Sequence, residues 1–334
     1  MSEAARRPLL RTALLAAAGL VLLLLPLATT PLLLDLGCQV LLACIGALSL
    51  MLLTGFAGQV SLGHAGLLAA GAFTVGILVK EATAPFWVTL PAAAIAGALL
   101  GLLFGLPSLR LRALYLAVSS LALHFIVIYL GGEYETLRGL STGIMVDPPR
   151  LFGHELYGGR AWYILLLVVA MAVLLACRNL VRSRTGRAWA AIRAHETVAA
   201  ALGIAVARHK LLAFVISSAF TALAGGLFAY YRGFVSIEAF SLYLSIQYVA
   251  MIIIGGMGSL GGAILGALFV TLFPYGIEAA LSTLPHADRY AGAMFASNYA
   301  AFGLVMIFFL VFEPQGLIGL WRRWRPASAK AGRP

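Results

Sequence analysis

Apolar residues run along this chain in long blocks separated by short polar breaks. Ten blocks predict membrane-spanning helices, at about 12–28, 36–53, 58–79, 86–106, 113–131, 161–178, 210–231, 241–255, 263–281 and 291–312. Each is close to the roughly 20 apolar residues that cross a bilayer as a helix. Strict alternation of apolar and polar positions, the signature of an outer-membrane barrel, does not occur. The expected fold class is therefore all-α, a polytopic helical membrane protein with about ten transmembrane helices. The block at 241–255 is the shortest and ends in Gly255-Gly256-Met257-Gly258; joining it to the next would leave nine spans. Arg6-Arg7 followed by apolar Ala13 to Ala28 has the outline of a secretory signal, but no good small-residue cleavage site follows, so an uncleaved first helix is expected.

Composition agrees with the pattern. Of 334 residues, 62% are hydrophobic and 10% charged, against about 25% charged in soluble domains. The net charge of +11 could suggest a nucleic-acid partner, but the charges sort by membrane side instead. With the N-terminus inside, the inner face receives three arginines before the first span, two at 110–112, seven basic residues at 178–210 and five after residue 320. These make 17 of the 23 basic residues. The positive-inside rule favours this orientation, with both termini cytoplasmic, and it favours ten spans over nine, since nine would put the Trp321 to Arg325 tail outside. Two longer polar stretches remain, an external one at about 132–160 and an internal basic one at about 179–209.

Two related glycine-rich strings interrupt the apolar pattern. Gly58-Gln59-Val60-Ser61-Leu62-Gly63-His64-Ala65 shares five of eight positions with Gly256-Met257-Gly258-Ser259-Leu260-Gly261-Gly262-Ala263. Small residues let helices approach closely, and irregular backbone at membrane depth is tolerated only where protein buries it or a wet cavity meets it. Gln59, Ser61, Gly63, His64, Ser259 and Gly261 are thus candidate pathway residues, with His124 in the middle of its span as a further one; helix packing alone is the competing explanation for each. Both strings fall on the inner side, six spans apart, whereas an inverted five-plus-five repeat would place them on opposite sides, five apart.

The apolar spans hold no Asp, Glu, Lys or Arg near mid-depth, the groups on which proton- or sodium-coupled carriers depend. There is no GxxxxGK[ST] phosphate loop, no Gly-x-Ser-x-Gly nucleophile pattern around Ser61 or Ser259, and no metal or disulfide spacing among Cys38, Cys44 and Cys177. The chain is read as a non-enzyme that binds no cofactor of its own. Any uphill transport would draw its energy from another chain.

The internal stretch Ser183 to Ile204 is alanine-rich, and Ala188, Ile192, Ala199 and Leu202 recur at helix-like intervals among Arg187, Arg193 and Glu196. The pattern predicts a short amphipathic helix ending at Gly203. Such a helix can lie on lipid headgroups or enter a partner's groove.

Four ordered motifs carry a resemblance. Leu53 to Ala65 resembles the signature of the LivM-type permeases of bacterial branched-chain amino acid ABC importers. Ser183 to Ile204 is similar to that family's "SRxGRAxxAIRxxExxAxALGI" pattern. Gly255 to Ala263 resembles the "GGxGSxxGAxxGA" element shared with the sister LivH-type subunit, and Phe312-Glu313-Pro314-Gln315-Gly316-Leu317-Ile318-Gly319 also fits. Ala194-His195 departs from the polar or acidic pair often found before Glu196.

The resemblance implies an ABC-importer permease architecture. It implies a single transmembrane permease domain over 1–320, a basic cytoplasmic tail at 321–334, and a place in the bacterial inner membrane. The implied partners are a homologous LivH-type subunit, two cytoplasmic ATPase subunits that hold ATP and Mg, and a periplasmic solute-binding protein. It further implies that Arg184, Gly186, Arg187, Ile192, Arg193, Glu196, Leu202 and Gly203 form the coupling element seated in an ATPase. Branched-chain or related hydrophobic amino acids are the expected cargo; urea, short amides, and aromatic or carboxylate solutes are alternatives on the same machine. A stand-alone channel or secondary carrier is the more distant alternative.

Overall fold

The computed structural model describes residues 30–108, 113–139, 143–151, 154–156, 158–282, 291–313 and 315–324. The first expected span, 12–28, and the tail from 325 lie outside these residues. The other nine blocks are helical. They form α1 (Pro31–Leu50), which runs into a π turn (Met51–Phe56), α2 (His64–Ala82), α3 (Phe86–Ser108), α4 (Ala113–Leu137), α5 (Gly159–Arg182), α8 (Val206–Arg232), α9 (Leu242–Gly255), α10 (Leu260–Ser282) and α11 (Ala291–Phe312). Seven helices among the described residues are long and apolar enough to cross a membrane, with Leu242–Gly255 and Ala300–Phe312 as shorter apolar segments. The protein is an all-α, multi-pass membrane protein.

Four features differ from the sequence expectation. Residues 58–63 lie in irregular backbone, so the third block starts as helix only at His64. α4 continues to Leu137, taking the start of the external polar stretch into helix. The basic stretch holds two helices, α6 (Arg184–Ala194) and α7 (Glu196–Ala201), because His195 adopts an extended φ of −153° between them. A last helix, α12 (Gly316–Trp324), runs through the expected boundary at 320.

α8 is the central element. It packs against α3 on one side, α2 on another and α1 on a third. Backbones touch where α2 crosses it: a Cβ on Gly225 would collide with the Leu68 carbonyl oxygen, and one on Gly71 with the Ala222 carbonyl oxygen. Lipid offers little hydrophobic gain for helix association, so packing of this kind, made possible by small residues, holds the bundle together.

The helix ends sort to two poles. One, the basic end, carries the turns between α1 and α2, between α9 and α10, and α6–α7; among the described residues it gathers Arg178, Arg182, Arg184, Arg187, Arg193, Arg208 and Lys210. The other carries two short ribbons, β1 (Ile144–Met145) with β4 (Phe234–Val235) and β2 (Arg150–Leu151) with β3 (His154–Glu155), both antiparallel. The β1–β4 register, Ile144 opposite Val235, ties the polar stretch after α4 to the exit of α8.

Candidate functional site

At the basic end, segments far apart in sequence meet. α1 finishes in a π turn, where the Ala57 amide donates to the Leu52 carbonyl at 3.0 Å, five residues back. π turns inside helices are rare and cluster at functional sites. The chain then leaves helical geometry. Thr54 Oγ1 donates to the Gln59 carbonyl at 2.9 Å, and Gln59 Nε2 donates to the Lys210 carbonyl at 3.0 Å, tying the first glycine string to the start of α8.

The second string forms the break between α9 and α10. Gly256 and Gly258 have φ of 111° and 85°, values that side chains disfavour. The Gly258 amide lies 3.2 Å from Met51 Sδ, and a Cβ on Gly55 would stand 3.1 Å from the Gly258 nitrogen. The two strings are thus neighbours. The C-terminal motif closes a further side, since a Cβ on Gly256 would sit 2.5 Å from the Gln315 carbonyl oxygen.

Arg193, the penultimate residue of α6, reaches into this junction. Its Nη1 donates to the Gly55 carbonyl. Its stem covers Gly58, where a Cβ would be 3.1 Å from Arg193 Cγ, and Nη1 is 2.9 Å from where Gly258 would carry one.

Deeper in the bundle a buried polar seam adjoins His64. Ser49 Oγ and Thr221 Oγ1 are 2.7 Å apart, and Ser217 Oγ donates to the Ser49 carbonyl at 2.8 Å. His64 Nδ1 is 3.5 Å from Thr221 Oγ1, and its ring lies 4.6 Å from that of Tyr248. Ser245 Oγ accepts from the Ala65 amide at 2.9 Å. Hydrogen-bonding pairs of this kind make buried hydroxyls affordable in an apolar surround.

The remaining candidates have local roles. Ser61 is buried and accepts from the Gly63 amide at 3.4 Å. Gly63 has no room for a side chain, because a Cβ would collide with the Ser120 carbonyl oxygen. Ser259 Oγ accepts from the Gly262 amide at 3.3 Å at the start of α10. Gly261 is exposed and a Cβ there would meet only ordinary contacts, the nearest at 3.7 Å; the crowded glycine beside it is Gly262, 2.7 Å from the Gly255 carbonyl oxygen by the same measure. His124 stands apart from the seam, on α4, where its backbone packs under Gly66 and its Nδ1 is buried without a hydrogen-bond partner.

The basic stretch divides into an anchored and a presented half. In α6, Ser183 Oγ caps the Gly186 amide at 3.4 Å, and Gly186 abuts the Val181 carbonyl too closely for any side chain. Trp189 and Ile192 are buried, and Trp189 Nε1 donates to the His209 carbonyl at 2.9 Å. Arg184 and Arg187 are exposed, the latter donating back to the Arg182 carbonyl at 3.3 Å. In α7, Ala199 is buried, but Val198 is 54% and Leu202 75% exposed, so Leu202 leaves the face that the sequence pattern assigned it. Glu196 pairs with Lys210 at 2.6 Å, and Gly203, at φ 81°, ends the segment.

Residues 32–311 match the family described as branched-chain amino acid transport system/permease component. This chain belongs to that family. The permease is 32% identical over 314 residues to the high-affinity branched-chain amino acid transport system permease protein LivM of Salmonella typhimurium, covering 86% of this chain and 70% of the relative. It is 33% identical over 301 residues to LivM of Escherichia coli, covering 82% and 67%. It is also 32% identical over 187 residues to the autoinducer 2 import system permease protein LsrC of Klebsiella pneumoniae, covering 53% and 51%. No solved structure matches the permease significantly.

One feature of the permease escaped the sequence reading. Toward the ribbon end, α1, α8, α9 and α10 line a half-open cavity of about 320 Å³. Gln39, Tyr231, Gln247 and Tyr275 line it, one from each of the four helices. Pro274 lies within α10 at its wall. It has no N–H to give the Val270 carbonyl, and a proline in the middle of an apolar span was the one local signal that could have pointed here.

Proposed function

We propose that this permease is one of two homologous membrane subunits of an ATP-driven, binding-protein-dependent importer that carries branched-chain or related hydrophobic amino acids into the bacterial cytoplasm. In this reading the basic end faces the cytoplasm, both termini included, and the protein resides in the inner membrane. ATP and Mg sit on two ATPase partners. A periplasmic binding protein docks at the ribbon end, where the polar stretch 132–160 lies.

The observation that carries the coupling assignment is the exposure of Val198 and Leu202 on a short helix whose neighbour is firmly anchored. Exposed apolar side chains beside basic ones suit insertion into a partner's groove, and anchoring α6 through Trp189 and Ile192 lets movement of α7 reach the bundle. Arg193 then links the loop to the glycine junction, where irregular backbone permits the spans to shift between outward-open and inward-open states. ATP drives this only by binding the ATPase states of the two conformations unequally. Gln59, Ser61, Gly63, His64, Ser259 and Gly261 serve in this scheme at or beside the moving pathway.

The experiment is purification of the permease with its co-expressed partners, reconstitution in liposomes, and uptake with solute-dependent ATP hydrolysis over a panel of amino acids and amides. Leucine, isoleucine or valine should be taken up only with ATP and binding protein. Uptake by this chain alone without ATP would defeat the proposal, and stimulation by urea or amides alone would defeat the cargo assignment.

A further inference from the structure

We infer that the cavity between α1, α8, α9 and α10 is a solute site for an aliphatic α-amino acid in its zwitterionic form, with Arg232 receiving the carboxylate and the Asp35–Gln39 pair receiving the ammonium. Its size is that of one small solute: ligand cavities begin at roughly 300 Å³, and this one holds about 320 Å³.

The lining divides by chemistry. Leu42, Met251 and Val270 supply an apolar wall, while Gln39, Tyr231 and Arg232 supply polarity. Gln39 is held at both ends of its amide, donating through Nε2 to Asp35 Oδ2 at 2.8 Å and accepting at Oε1 from the Tyr275 hydroxyl at 3.0 Å. The Tyr231 hydroxyl donates to Asp35 Oδ1. An anionic group is therefore fixed beside the cavity by two residues that line it.

Arg232 ends α8 on the same cavity. Among the described residues it pairs with no carboxylate, and its guanidinium carbon lies 5.7 Å from the Phe228 ring. A planar guanidinium suits a carboxylate through paired N–H donors. A guanidinium on the wall, a carboxylate just beyond it and an apolar side match a zwitterion with a hydrocarbon side chain, whereas urea or a simple amide brings no carboxylate for Arg232.

The floor gives the site a direction. Tyr248 lines the cavity and is otherwise buried, with the His64 ring 4.6 Å behind it. Behind His64 lies the Ser49–Thr221–Ser217 seam. A solute in the cavity would rest on the aromatic partition that separates the ribbon-end opening from the polar seam.

This assignment rests on the importer reading above, and the test separates the two. The complete complex, with ATPases and binding protein, is reconstituted in liposomes, and L-leucine uptake is compared for wild type, Arg232→Gln, Arg232→Lys and Thr271→Trp. Arg232→Gln should raise the KM for leucine-loaded binding protein by about tenfold or more, the effect of losing a charged hydrogen-bond partner, while binding-protein docking and ATPase co-purification stay unchanged. Arg232→Lys should recover part of that loss. Thr271→Trp, which fills the cavity, should abolish uptake; if that variant does not assemble, Arg232→Gln decides, since its side chain is exposed. Leucine uptake by wild type with unaltered KM in Arg232→Gln would overturn the site and leave the importer reading standing. A KM change matched by equal loss of docking would also overturn the site, assigning Arg232 to the docking surface. A wild-type complex that imports another solute and no amino acid would overturn both.

Discussion

The Arg193 guanidinium donates a hydrogen bond to the backbone carbonyl of Gly55, 138 residues earlier in the chain. That bond joins the basic loop to the π turn at the end of α1, and the same side chain lies against Gly58 and Gly258. Arg193 is exposed, as a docking charge would be, and it also bridges the loop to the junction of the glycine strings. Replacing Arg193 by Gln should therefore leave ATPase association intact and lower coupled uptake by about tenfold, as expected for loss of a hydrogen bond involving a charged group. Lysine should rescue poorly, because a point charge cannot reproduce the guanidinium fork. Co-purification measured beside uptake per ATP hydrolysed checks this; loss of the ATPase from the complex would show that Arg193 docks instead of transmitting.

The two halves of the loop should respond in opposite ways. Val198→Asp and Leu202→Asp alter exposed positions, so the permease by itself should change stability by no more than about 0.5 kcal/mol, while ATPase capture should fall sharply. Trp189→Ala removes a buried indole and its bond to His209, and should destabilise the permease by about 3–5 kcal/mol. Thermal unfolding in detergent, paired with an ATPase pull-down, separates the effects.

Glycines that look alike in the repeated strings should not behave alike. Gly63→Leu forces a side chain into the Ser120 carbonyl, and Gly225→Leu into that of Leu68; both should lose folded protein and uptake. A Cβ on Gly261 meets only ordinary contacts, so Gly261→Leu should retain most folded protein. Yields of monodisperse protein in detergent report the difference, and equal loss in all three would refute the assigned crossings.

The Glu196–Lys210 pair joins α7 to the start of α8, with Glu196 the more exposed partner. Reversing either charge alone should cost less than about 1 kcal/mol, and reversing both should restore the wild type. The single-reversal effect should shrink as salt rises. An ATPase-association defect that persists in the double reversal would mean that Glu196 meets the partner directly.

Hydropathy alone determined where nine of the helices lie, which loops collect positive charge, and that two related glycine strings interrupt the spans. These properties are local: a run of apolar residues and a few small ones are read without knowing what they touch. Tertiary structure decided the rest, because close approach belongs to two segments at once. It crowded Gly63 and Gly262 but left Gly261 with only ordinary contacts, and it brought both strings, the C-terminal motif and Arg193 to one junction. It broke the basic helix at His195, which turned Leu202 outward while Ile192 stayed buried. It also gathered Gln39, Tyr231, Gln247 and Tyr275 from four helices around one cavity. Each sits on a different, predominantly apolar helix, and only the angles at which helices pack determine that such residues share a space.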